Sequence, residues 1–294
     1  MLFRSLALYD RLPAEFGNRQ VKLTSNETGR TVQRLQREVL RERFAEITAM
    51  DRSIGMLRTH LTAAGARDNT LLWYCGDNGT PQEAVATVPF RAWKGSVYEG
   101  GIRVPGVIEW PARLRAPRVS AVNAVTSDIL PTLCELAGRP LPARPLDGLS
   151  LVPLLDGRMT ERPAPICFWD GRTREGERTP YIDPELQKGT TPLAKVGPDG
   201  ATRNFLNYRQ EGVLPGDFAG ARAIADNRFK LVINGESRRG GSGAEVRELF
   251  DLRADPAEKK DVAADHPHEV ARLSRQLRAW QESVLASLTG ADYR

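Results

Sequence analysis

Residues 71–80 read Leu71-Leu72-Trp73-Tyr74-Cys75-Gly76-Asp77-Asn78-Gly79-Thr80, an uninterrupted apolar run followed by a turn that carries a carboxylate and a carboxamide. Such a run, bounded by turn residues, is what a buried strand of a parallel sheet shows. Upstream of the polar turn Ala66-Arg67-Asp68-Asn69, the residues Val32, Leu35, Val39, Phe44, Ile47, Ile54, Leu57 and Leu61 recur mostly at helical steps. That spacing places one apolar stripe along a long helix, with Gly65 as its stop. Helix, turn and buried strand in this order make one unit of an α/β domain.

Downstream, Val104-Pro105-Gly106-Val107-Ile108-Glu109-Trp110 reads as a second buried strand, with Pro105 at its start because proline has no ladder donor. A helix is expected from Ser127 to Ala137, capped by Ser127 or Thr126 and ended by Gly138 and Pro140. The Pro- and Gly-rich stretch from Arg139 to Arg162 reads as the connection out of this domain. Gly, Pro and charged residues then dominate from Gly171 to Gly220, which suggests an irregular surface excursion. Order returns in Ala223-Ile224-Ala225, Phe229-Lys230-Leu231-Val232-Ile233 and Glu248-Leu249-Phe250-Asp251-Leu252. These are short strands of an antiparallel sheet, separated by Asp226-Asn227 and by the Gly240-Gly241-Ser242-Gly243 loop. Val270, Leu273, Leu277, Trp280, Val284 and Leu288 keep helical spacing, with Asp265 as cap and Pro267 in the first turn, so an amphipathic helix should cover that sheet. The expected organisation is an α/β domain over 1–160 and a smaller α+β domain over 161–294.

Composition narrows the function. The chain has 294 residues, 40% hydrophobic and 27% charged, which is ordinary for a globular protein. A net charge of +5 favours anionic partners, yet the 42 Lys and Arg are scattered among 37 Asp and Glu. Without a basic stripe interleaved with aromatics, a nucleic-acid role is the weakest reading and no nucleic-acid partner is expected. No stretch approaches the roughly 20 apolar residues that span a bilayer, and Arg4, Asp10 and Arg11 interrupt the first apolar run, so neither a membrane partner nor a signal peptide is expected. Cys75, Cys134 and Cys167 form no CxxC pair, and His60, His266 and His268 leave few bases for a Ser-His-Asp or Cys-His enzyme.

Ligands of α/β sheets collect beyond the carboxyl ends of strands, where Asp77 and Asn78 stand, although on those residues alone a plain strand-ending turn is the favoured reading. The segment Lys94-Gly95-Ser96-Val97-Tyr98-Glu99-Gly100-Gly101-Ile102-Arg103-Val104-Pro105, a short way after Asp77-Asn78-Gly79, tips the balance. It resembles the signature of the sulfatase family, in which a strand ending in Asp-Asn-Gly or Asp-His-Gly is followed by Gly-Lys-x3-Tyr-Glu-Gly-Gly-x-Arg-x-Pro; only Trp93, in place of the first glycine, departs. Ser127-Asp128-Ile129-Leu130-Pro131-Thr132-Leu133, Leu146-Asp147-Gly148-Leu149-Ser150-Leu151 and the three C-terminal strands are also similar to sulfatases, so the resemblance spans about residues 40–285.

The resemblance implies an alkaline-phosphatase-like α/β sandwich with a smaller C-terminal antiparallel sheet plus helix, and hydrolysis of a sulfate ester on an aryl group or a sugar. It implies that Asp77 and Asn78 bind a calcium ion, in keeping with the preference of hard cations for carboxylate and carboxamide oxygens. Lys94 would be both catalytic and substrate-binding, its ammonium meeting a sulfate oxygen; the alternative is a snorkelling surface lysine. Glu99, Gly100 and Gly101 would shape the turn and Arg103 anchor it, while Thr80 lies beside the site without a chemistry that demands it.

Sulfatases use a formylglycine made in a Cys-x-Pro-x-Arg type segment, and none of the three cysteines stands in one. The expectation is therefore a C-terminal part of a sulfatase, inactive alone, poorly soluble through exposed apolar edges, whose nucleophile lies in an N-terminal segment or a separate chain. The calcium site would then be incomplete here. An exported protein, periplasmic or extracellular, is implied. Two alternatives remain open: a non-catalytic protein that binds sulfated glycan on a sulfatase scaffold, and a related phosphoester or phosphonate hydrolase.

Overall fold

A computed structural model describes residues 5–10, 12, 19–24, 30–170, 179–180, 208–209, 212–235 and 245–292. By contact the chain forms two compact units, Met1–Thr70 with Arg178–Arg209, and Leu71–Glu177 with Gln210–Arg294.

In the first unit, β1 (Gln20–Thr24) and β2 (Thr31–Leu35) pair antiparallel, with Val21 opposite Arg34 and Leu23 opposite Val32. The helix expected from Val32 therefore starts later, as α1 (Gln36–Ala63). Thr31 and Val32 are β-branched and gain cross-strand partners in β1, which outweighs the helical register of Val32 and Leu35. Along α1, Val39, Leu40 and Ala45 are buried, whereas Ile47, Met56 and Leu57 are 56%, 61% and 44% exposed. The apolar stripe is covered only in its first turns. Ala64 closes the helix through His60, and Gly65 leaves it at φ 66°, the left-handed conformation that glycine adopts without steric cost.

In the second unit, β3 (Leu72–Cys75) pairs with β4 (Gly106–Glu109), Leu72 opposite Glu109 and Cys75 opposite Gly106. The ladder is antiparallel, not parallel as expected, and all four residues of β3 are only half-buried. An apolar run reports burial but carries no strand direction. Pro105 precedes β4, and its carbonyl accepts the Gly76 N–H at 3.2 Å. Between the two strands lies α2 (Glu99–Ile102).

A 3-10 turn over Thr126–Asp128 leads into α3 (Ile129–Leu136). Neither Ser127 nor Thr126 caps it. Asp128 stands at the N-cap position with no side-chain cap bond; its carboxylate instead accepts the N–H groups of Val125 and Leu149, each at 2.9 Å, and bonds from both guanidinium nitrogens of Arg162, at 2.7 and 2.8 Å. The segment expected to be a bare connection is consequently packed. It contains α4 (Val152–Leu155) and buries Leu151, Val152 and Leu155.

The C-terminal sheet has four strands where three were expected. β5 (Ile166–Trp169) lies on one edge, followed in space by β8 (Arg222–Ala225), β9 (Phe229–Ile233) and β10 (Arg247–Asp251), all antiparallel. A short ladder in the first unit, β6 (Thr179–Pro180) with β7 (Tyr208–Arg209), falls in the stretch read as irregular; the rest of 171–211 and the Gly240–Gly243 loop lie outside the described residues.

Strand periodicity sends alternate residues of the C-terminal sheet to opposite faces. Ile224, Leu231, Ile233 and Leu249 pack with Leu273 and Leu277 of α5 (Pro267–Thr289). Ala223, Val232 and Phe250 pack with Val97 and Tyr98, just before α2. β8 and β9 are buried throughout because both faces are covered. The N-cap of α5 is His266, not Asp265, and no side chain caps it; Pro267 sets the first helical position and the residue before it becomes the cap.

Candidate functional site

The site grows from the end of β3. Asp77 is exposed and Asn78 half-buried, and the Asn78 amide donates to an Asp77 carboxylate oxygen at 2.5 Å. The chain then enters the core. Gly79 N–H donates to Gly101 O and Thr80 N–H to Gly100 O, both at 2.9 Å, while Thr80 O accepts the Lys94 N–H at 2.7 Å. Two segments separated in sequence are thus stitched, backbone to backbone, into one layer.

That stitching explains the glycines. A Cβ on Gly79 would lie 2.2 Å from Gly100 O, one on Gly100 would lie 2.3 Å from Ala92 O, and one on Gly101 would lie 2.1 Å from Ser96 O. Each neighbour is backbone and cannot swing aside. Lys94 sits on a loop whose left-handed residues are Ala92, at φ 61°, and Gly95, at φ 87°. Trp93, where the sulfatase pattern has glycine, has no positive φ, so the backbone there does not call for one. The Lys94 side chain is exposed and makes no ion pair among the described residues.

Behind the exposed pair, the next residues face inward. Tyr98 is buried, its hydroxyl bonded to Glu248, with the Arg91 guanidinium 4.0 Å above the ring and bonded in turn to Glu248 at 2.9 Å. Glu99 contacts Arg103 at 3.3 Å and Lys230 at 2.9 Å, and its N–H donates to Glu258 at 2.7 Å. Arg103 also stacks over Phe90, with 4.9 Å to the ring centroid. Burial pushes the Glu258 carboxyl above the usual carboxylate range, an effect that Lys230 partly offsets. Glu248, Arg91, Lys230 and Glu258 were not foreseen from sequence. The one available signal was Lys230, a charge in the middle of the apolar run of β9.

Calcium takes six to eight oxygen ligands. Asp77 and Asn78 are of the oxygen-donor types such a cation takes and so suit it as part of a site, although the Asn78 side chain here turns its NH2 to Asp77; among the described residues no group of three His, Cys, Asp or Glu gathers to complete one. All three cysteines are half-buried and unpaired, and burial, with Asp147 nearby, pushes the Cys167 thiol up to about 12. A cavity of about 340 Å³ is lined by Trp73, Cys75, Glu99, Arg103, Asn123 and Phe168 among others, but not by Asp77, Asn78 or Lys94.

Residues 5–139 match the model of the sulfatase family. Within the wider sulfatase comparison, arylsulfatase A of Homo sapiens is 39% identical over 112 residues, 37% of this chain and 22% of that protein. N-acetylgalactosamine-6-sulfatase of Mus musculus is 34% identical over 142 residues, 46% of this chain and 27% of that protein. The chain therefore matches about a quarter of the length of these curated relatives. The phosphonate monoester hydrolase of Agrobacterium radiobacter is similar in structure, with a TM-score of 0.54 at 26% identity over 84% of this chain and 42% of that one. The fold is the alkaline-phosphatase-like α/β arrangement with a C-terminal antiparallel sheet plus helix, as the sulfatase signature implied. No helix among the described residues is long and apolar enough to cross a membrane.

Proposed function

We propose that this chain forms part of a sulfuric ester hydrolase for aryl sulfates or sulfated sugars. In this reading Asp77 and Asn78 are ligands of a calcium ion and Lys94 meets a sulfate oxygen. The observation that carries it is the pair of hydrogen bonds through Thr80, whose N–H donates to Gly100 O and whose carbonyl accepts the Lys94 N–H, which brings the Asp77-Asn78 turn and the Lys94 loop into one layer. The ion, when bound, would draw charge from the sulfate oxygens. The chain's own contribution is to hold an exposed ammonium beside that layer, where it stabilises negative charge developing on the ester and its leaving group. The formylglycine would come from a segment that is not among these 294 residues, joined to this chain or supplied by another.

The test is titration of calcium and of 4-nitrophenyl sulfate into the purified protein, with Asp77→Ala and Lys94→Ala beside it. Sulfate-ester binding that needs calcium and is lost in both variants supports the reading. Binding of sulfated glycan that survives chelation and Lys94→Ala would sink it in favour of a non-catalytic glycan binder. The likeness to a phosphonate monoester hydrolase favours one second reading, action on phosphonate or phosphate esters, and preferential binding of a phosphonate monoester would select it.

A further inference from the structure

We propose that Lys230 is a positioning residue for the candidate site: set between Glu99 and Glu258 inside the C-terminal sheet, it fixes the turn whose carbonyls hold the Asp77–Thr80 segment. The inference rests on the reading of Asp77, Asn78 and Lys94 given above, and concerns what aims them.

Lys230 is wholly buried and Glu258 is 1% exposed, with Glu99 at 7%. The ammonium lies 2.9 Å from Glu99 Oε1 and 2.8 Å from Glu258 Oε1, while Glu258 Oε2 accepts the Glu99 N–H at 2.7 Å. Three residues from three places in the chain thus close a ring around the first residue of α2. From that ring the path to the site is short. The next two residues, Gly100 and Gly101, accept the Thr80 and Gly79 N–H groups, and Thr80 in turn accepts the Lys94 N–H.

A ring of this kind is a poor means of stability alone. Two carboxylates and one ammonium are taken out of water, and apolar side chains of similar volume commonly serve a core as well or better. Glu258 Oε1 has its charge partner but no well-directed hydrogen bond, and Glu258 itself is held at φ 54°, a conformation that non-glycine residues adopt at a cost. Such features persist where the surroundings over-determine a geometry. The Tyr98–Glu248 bond and the packing of Tyr98 on Phe250 hold the same turn independently, so removing Lys230 should re-aim the turn without releasing it from the sheet.

The experiment is hydrogen exchange on the full chain, wild type against Lys230→Met, with calcium titration of both. The Gly79, Thr80 and Lys94 amides should lose at least about tenfold in protection relative to amides of β8 and β9, and calcium affinity should weaken. Because Lys230→Met leaves buried carboxylates uncompensated and could lower overall stability, Lys230→Met with Glu258→Gln is measured as well. If the double variant regains stability while the three site amides stay unprotected, the positioning role holds; if their protection returns with stability, Lys230 only balances charge and the proposal is overturned. Wild-type protein that binds no calcium would sink the metal reading, but the exchange comparison would still decide the coupling.

Discussion

Gly79→Ala should be the most damaging small substitution at the site, and its magnitude follows from the backbone around it. The added Cβ would stand 2.2 Å from Gly100 O, 2.4 Å from Gly101 C and 2.6 Å from Gly101 O. All three are main-chain atoms of a turn fixed from behind by Tyr98 and Glu99, so the layer must open to admit a methyl group. Opening it stretches the Gly79–Gly101 and Thr80–Gly100 hydrogen bonds, each contributing about 1 kcal/mol, and overpacking adds roughly 1–3 kcal/mol, for an expected loss of about 3–5 kcal/mol. That is a large share of a typical domain's total of roughly 5–15 kcal/mol. Urea unfolding followed by tryptophan fluorescence would read it as a midpoint lowered by about 1.5–2.5 M for a slope near 2 kcal/mol/M. Gly106→Ala is the control: a Cβ there meets nothing within 4 Å and its φ is not positive, so it should stay within about 0.5 kcal/mol of wild type. Equal midpoints for the two variants would refute the claim that the signature glycines are there for close backbone approach.

Arg162→Met leaves Asp128 buried without its bidentate partner and should cost about 3–5 kcal/mol by the same measurement. For Glu258 the folded carboxyl holds its proton more tightly than the unfolded chain does. Its contribution is therefore full below the ordinary glutamate value of about 4.3 and is lost as pH rises through the folded value, so melting temperatures across pH should show a decline there that Glu258→Gln removes. Cys167, with its thiol pushed up to about 12, should resist iodoacetamide at neutral pH in the folded protein and react after unfolding, as peptide mass spectrometry would show.

The elements readable in the sequence are those whose periodicity is local. α5 announces itself by Val270, Leu273, Leu277 and Trp280, and β8 to β10 by apolar runs between turn residues, since each pairs with a near neighbour in the chain. β5 is apolar too, but its partner β8 lies some fifty residues on, beyond a stretch of unpatterned sequence, and nothing in Ile166-Cys167-Phe168-Trp169 points to it. The direction of β3 is illegible for a similar reason: the antiparallel return is made by the signature turn, not by β3 itself. Asp128 holds the N-cap position of α3, but its carboxylate reaches back to Val125 and across to Arg162 instead of to the helix N–H groups, so no local capping pattern announces it. At the site, Asp77, Asn78 and Lys94 came from family resemblance, while Glu248, Lys230 and Glu258 stand 131 to 159 residues from the turn they hold.

The signature residues separate into two kinds, and the distinction bears on what a family match can say about chemistry. Gly79, Tyr98, Glu99, Gly100 and Gly101 are buried and make contacts within the chain, so folding alone accounts for them. Asp77 and Lys94 are exposed, and the bond that Lys94 makes to Thr80 uses its backbone, which any residue but proline could supply. Folding gives no reason for a lysine at that place. Lys94→Ala should accordingly leave the unfolding free energy read from urea within about 0.5 kcal/mol of wild type while abolishing calcium-dependent binding of 4-nitrophenyl sulfate. A variant that loses stability and binding together would place Lys94 among the scaffold residues and remove the strongest argument that the layer at the end of β3 handles a sulfate ester. Unchanged stability with lost binding would show that this ammonium serves the ligand alone.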